Sequence, residues 1–171
     1  MTFDAGPLAD VGMTRDGEHW TVVFARDVRH PPERVWAALT EPAQLAEWAP
    51  YTADRDLGAT GDATLTTVDR DEAEHLPSTV RRADPPKHLE YTWGGGLLRW
   101  RLDDAPCGTR LTLRHTVDDR ETGLDVAAGW HLCLAVAERL MDGDPVGSIV
   151  GPAALDHGWT ELRAAYADRL A

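Results

Sequence analysis

Residues 24–50, FARDVRHPPERVWAALTEPAQLAEWAP, hold the transition that decides the fold. Trp20, Val22, Phe24 and Val28 alternate on one face, so residues 18–29 are predicted to form a strand. Pro31 and Pro32 stop it, and Pro32 suits a first helical turn, where a missing N–H costs nothing. Val35, Trp36 and Leu39 then make a short apolar helical stripe. Glu41-Pro42 ends that helix and opens a second short one, whose inward residues are Leu45 and Trp48.

Outward from this stretch, period-2 segments follow. Residues 63–68 are Thr-rich and β-prone, and residues 76–82 carry Leu76 and Val80. Leu89, Tyr91 and Trp93 alternate with His88, Glu90 and Thr92; Leu98, Trp100 and Leu102 oppose Arg99, Arg101 and Asp103. Leu111, Leu113, His115 and Val117 share a phase in residues 109–117. Short turns such as Gly94-Gly95-Gly96 between these runs imply an antiparallel meander with one buried face. Near residue 123 the period becomes helical, and Val126, Trp130, Leu134 and Ala137 form a stripe up to Met141. Pro145, Gly143, Gly147 and Gly151 predict a break over residues 143–151, a plausible gate. A last helix is expected over residues 152–170, with Leu155, Trp159, Leu162, Tyr166 and Leu170 inward.

Together these segments predict an α+β fold: a curved antiparallel sheet of six or seven strands wrapped on a C-terminal helix, with two short helices after the first strand. Residues 1–17 read as a leader that covers little, and residues 18–171 as a single domain. A chain of 171 residues buries roughly 70% of the surface exposed when unfolded, enough for one core. The formal net charge of −12 repels phosphate, so neither nucleic acid nor an anionic membrane is an expected partner. The opening MTFDAGPLAD lacks a basic segment followed by an apolar run, and no apolar stretch approaches the ~20 residues of a membrane span. Two cysteines are too few for a disulfide framework. A soluble, reduced, cytoplasmic protein without membrane insertion is the expectation.

The segments Arg26 with His30-Pro31-Pro32-Glu33-Arg34-Val35-Trp36, Leu39-Thr40-Glu41-Pro42 with Trp48, and Gly129-Trp130 with Leu134 and Leu140 resemble the START-like (SRPBCC) superfamily. Within it the chain is similar to the homologues of the activator of heat-shock-protein-90 ATPase, over roughly residues 18–170. The resemblance implies a helix-grip fold built around a cavity. In the eukaryotic activators this domain works beside a separate N-terminal domain, which the 17 residues before the first strand do not supply.

Few residues offer chemistry. His115 is in phase with buried leucines, where burial disfavours its charge; it is either a polar anchor or proton carrier in a cavity, or a core histidine bonded to a carbonyl or hydroxyl. Arg26 shares the parity of Phe24 and Val28, where a buried arginine needs a partner; it either holds a ligand carboxylate, pairs with a protein carboxylate or leaves the sheet edge. His131, Cys133 and His157 lack zinc-ligand spacing, and neither Cys107 nor Cys133 has a base beside it. Gly94-Gly95-Gly96 has no following helix and no Lys-Ser/Thr ending, so it reads as a hairpin turn and not a phosphate loop. No catalytic residue, metal or cofactor is expected.

Seven tryptophans are the remaining signal. They are either core or the walls of an apolar pocket, and the expected ligand-binding set is Trp48, Tyr91, Trp93, Trp100, Leu102, Leu113, His115, Trp130 and Leu134. The leading expectation is a protein that holds a small hydrophobic or amphipathic molecule between sheet and C-terminal helix. The alternatives are a chaperone-associated interaction protein with a protein partner, and a cyclase or hydrolase using the same cavity, for which only His115 offers an acid or base.

Overall fold

The structure is a computed structural model, and it describes residues 3–68 and 72–171. Eight strands form a single antiparallel sheet: β1 (Asp10–Asp16), β2 (His19–Val28), β3 (Tyr51–Ala53), β4 (Gly61–Thr67), β5 (His75–Asp84), β6 (His88–Trp93), β7 (Gly96–Ala105) and β8 (Gly108–Val117), in the order β1-β2-β8-β7-β6-β5-β4-β3. Between β2 and β3 lie α1 (Pro32–Thr40) and α2 (Pro42–Trp48), and after β8 come α3 (Arg120–Met141), α4 (Pro152–Leu155) and α5 (Trp159–Arg169).

The sheet has two more strands than the six period-2 segments of the sequence. β1 lies within the presumed leader and pairs with β2 from Asp10–Ala25 to Asp16–His19. It escapes a parity reading because it is an edge strand on which only Val11 is buried. β3 has three residues, too few to show a period. In the middle of the sheet the alternation is direct: Leu98 faces His115, Trp100 faces Leu113 and Leu102 faces Leu111 across β7–β8, all buried on the inner face. The β5–β6 register shifts between Val80 and Arg82, an irregularity of the kind that raises local strand twist.

Pro32 and Pro42 each occupy the first turn of their helix. Glu41, held extended by the proline after it, closes α1 and opens α2 at once. The Trp48 indole N–H reaches back to the Ala38 carbonyl at 2.8 Å, locking the two helices together. Asp119 caps α3 by accepting from the Thr122 N–H at 2.8 Å. α3 lies across the sheet: Arg26 of β2 is ion-paired with Glu138, so this arginine has a protein carboxylate as its partner.

α3 ends at Met141, and no helix covers residues 142–151. The expected last helix is divided in two. Gly158 adopts φ 89°, a left-handed conformation that glycine takes without strain, and separates α4 from α5. α5 packs on α3 through Tyr166, whose hydroxyl meets His131 Nδ1 at 2.6 Å and accepts the Ala9 N–H at 2.9 Å. His131 Nε2 lies 2.8 Å from the Ala5 carbonyl, which only an N–H can satisfy. Nε2 therefore carries the proton, Nδ1 accepts from Tyr166, and residues 5–9 are tied to the helical layer. No described helix is long and apolar enough to cross a membrane.

Candidate functional site

The inner face of the sheet and the facing side of α3 meet in an aromatic cluster. Trp100 lies edge-on to both Trp48 and Trp130, with ring centres 6.3 and 5.4 Å away, and Trp93 lies 5.9 Å from Trp130. Tyr51 packs on Trp93 at 4.9 Å and hydrogen-bonds Tyr91, hydroxyl to hydroxyl. Burial raises the pKa of both phenols, so they stay protonated. Trp100 Nε1 lies beside the Tyr91 hydroxyl but closes no hydrogen bond with it, a buried donor without a partner among the described residues.

This packing redistributes the expected pocket. Trp48, Tyr91, Trp100, Leu102, Leu113 and Leu134 are buried against one another and fill the space between sheet and helix. They line neither of the two hollows beside the cluster. Large aromatic side chains pack edge-to-face on one another, as Trp100 does with Trp48 and Trp130. Trp93, Trp130 and His115 are brought to cavity walls.

The larger hollow, about 450 Å³, opens between α3 and the segment from Ile149 to Leu155. Val126, Gly129, Trp130 and Cys133 form its α3 wall, Trp93 and Pro50 contribute from the sheet side, and Trp159 closes the far end. Only Asp125 among its lining residues is charged, and Arg163 of α5 holds that carboxylate in an ion pair. Gly129 is informative. A glycine inside a helix costs about 1 kcal/mol relative to alanine, yet a Cβ built there meets nothing within 4 Å. No packing partner requires the glycine; its missing side chain leaves hollow in the wall. The sequence showed Gly129 and Trp159 but not their convergence, because the loop that brings Ile149 and Ala154 over α3 has no periodic signal.

The second hollow, about 300 Å³, shares Trp93 and Val126 with the first and is bordered by Gly96, His115 and Thr122. His115 is 5% exposed and accepts the Trp130 indole N–H on Nδ1 at 3.0 Å. Burial lowers its pKa from 6.5 to about 4, so the ring is neutral at physiological pH. Trp93 lies against the same ring, 5.7 Å between centres. His131, Cys133 and His157 do not converge: His131 is bound to Tyr166 and Ala5, and exposed His157 bonds to the Ala153 carbonyl. Among the described residues no three His, Cys, Asp or Glu side chains stand close enough to share a metal.

A curled antiparallel sheet gripping a long helix, with two short helices after its second strand, defines the START-like helix-grip class. The chain belongs to the Activator of Hsp90 ATPase homolog 1-like protein family, which residues 29–141 match. Among solved structures it is similar to CalU16 from Micromonospora echinospora, at 20% identity over 94% of this chain and 95% of that one, with a TM-score of 0.67. It is also similar to a protein from Bordetella parapertussis, at 25% identity over 99% and 96% of the two chains, TM-score 0.66. An AHSA1-like protein from Aeromonas hydrophila matches 72% of this chain and 92% of its own, at 19% identity and TM-score 0.60. A comparison with curated protein sequences finds no match.

Proposed function

We propose that this protein binds a small hydrophobic or amphipathic molecule in the hollow between α3 and the segment from Ile149 to Leu155. The observation that carries the reading is the hollow itself: about 450 Å³, walled by apolar side chains, with Gly129 leaving open space in an otherwise continuous helix. That volume is within the range of small-molecule sites, roughly 300–1,000 Å³. The cover, residues 142–151 and the four-residue α4, has little regular structure, which suits a lid that opens for entry. The family's fold supports binding in general terms, and the site lies beside the tryptophan core and not within it.

The test is titration with the neutral apolar fluorophore N-phenyl-1-naphthylamine. Micromolar affinity, about −8 kcal/mol, is expected for the native protein. Gly129→Leu places a side chain into the hollow from a rigid helix and favours helix formation, so it should weaken the probe at least about tenfold without lowering the melting temperature. Equal binding by both proteins, or none by the native one, overturns the proposal.

A further inference from the structure

The second hollow contains a hydrogen-bond donor that the fold leaves unused. Trp130 Nε1 can only donate, so its 3.0 Å contact requires a lone pair on His115 Nδ1. A neutral ring that accepts at Nδ1 must carry its proton at Nε2. Protonating Nδ1 as well would set two N–H groups against each other, so the indole itself holds the imidazole in this tautomer. Nε2 has no hydrogen-bond partner among the described residues, although the side chain is 95% buried by its 5% exposure.

What keeps Nε2 uncovered is the residue beside it. A Cβ on Gly96 would stand 3.2 Å from Nε2 and 2.7 Å from the Thr116 carbonyl oxygen, so the hairpin passes the imidazole edge without a side chain. The donor thus looks into the hollow bordered by Trp93, Gly96, Thr122 and Val126. Trp93 and Val126 are also walls of the larger hollow, so the two spaces adjoin across these side chains.

We propose that the two hollows form one site for a molecule with an apolar body and a neutral carbonyl-type acceptor, the body against α3 and the carbonyl oxygen on His115 Nε2–H. This rests on the reading of the larger hollow as a ligand site and adds the class of ligand. The electrostatics favour a neutral head. The imidazole offers a proton but no charge, Asp118 borders the same hollow, and the chain as a whole carries −12. A carboxylate would lose its hydration there with no positive charge to replace it. A ketone, ester or lactone oxygen loses far less and gains one hydrogen bond, and a ligand lacking it covers the donor without pairing it.

Three probes of one shape test this by displacement of N-phenyl-1-naphthylamine from the native protein: 2-acetylnaphthalene, 2-ethylnaphthalene and 2-naphthoate. The ketone should bind about tenfold tighter than the ethyl compound, as one satisfied hydrogen bond implies, and the carboxylate most weakly. In His115→Leu that preference should vanish. Because that variant also strips Trp130 of its acceptor and can misfold, the native protein is read independently by 15N NMR of the imidazole. The ketone should move the Nε2 resonance and the ethyl compound should not. Equal affinity of ketone and ethyl compound, or an Nε2 resonance that ignores the ketone, overturns the inference. If both displace the probe equally, the larger hollow remains a site and only the carbonyl contact fails; if neither displaces it, the reading of the larger hollow fails first.

Discussion

Trp130 of α3 donates its indole N–H to Nδ1 of His115 on β8, a 3.0 Å bond from the covering helix to the middle of the sheet. Both partners are buried, at 2% and 5% exposure, so the bond is shielded from water and neither group has solvent to fall back on. It joins the two layers at the point where the aromatic cluster and the second hollow meet.

The burial of His115 gives stability a defined pH dependence. The folded-state pKa of His115 is about 4 against 6.5 for the free side chain, the cause being burial. Between these values the unfolded chain binds a proton that the folded chain refuses, so stability rises with pH across the window and is complete above 6.5. It falls as pH drops from 6.5 and levels off below about 4, a difference of roughly 3 kcal/mol. His131, lowered chiefly by burial, acts in the same direction. Urea denaturation from pH 7 to pH 4 should show the slope, and His115→Gln should flatten it; a variant as steep as the native protein would assign the effect elsewhere.

Gly129→Ala should raise stability by about 1 kcal/mol, since alanine is the better helix former and its Cβ meets no atom within 4 Å. Thermal unfolding measures it. A loss of stability would show that the α3 wall is closed at this position.

The Arg26–Glu138 ion pair joins β2 to α3 with each side chain 20% exposed. Glu138→Leu alone should cost roughly 2 kcal/mol by leaving the guanidinium without its carboxylate in a partly buried place. Arg26→Leu combined with Glu138→Leu should recover most of that loss. A double-mutant cycle in urea checks both, and additivity of the two single changes would mean the pair is not coupled.

Amide exchange should be fast over residues 143–151 and slow over residues 130–140. The first segment has no helix, and the Asp144 N–H bond to the Arg139 carbonyl is one of its few backbone bonds; the second is the buried middle of α3. Equal protection of the two would remove the lid from the proposed entry route.

The sequence by itself determined the local elements. Parity placed six of the eight strands, prolines fixed the starts of α1 and α2, and Pro145 with its neighbouring glycines marked the end of α3, because these signals act through backbone geometry over a few residues. β1 and β3 were illegible for the opposite reason: an exposed edge strand and a three-residue strand exist only because β2 and β4 offer them partners. Inward direction was also legible for Trp48, Trp100 and His115. Whether an inward tryptophan lines a cavity or fills it was not, since that depends on the distance between rings carried by α2, β7 and α3. Only the tertiary structure decided that these rings close on one another, that the open space moves to Gly129 and Trp159, and that His115 gives its lone pair to Trp130 while its Nε2 faces a hollow. Packing is a relation among residues far apart in the chain, and no local pattern encodes it.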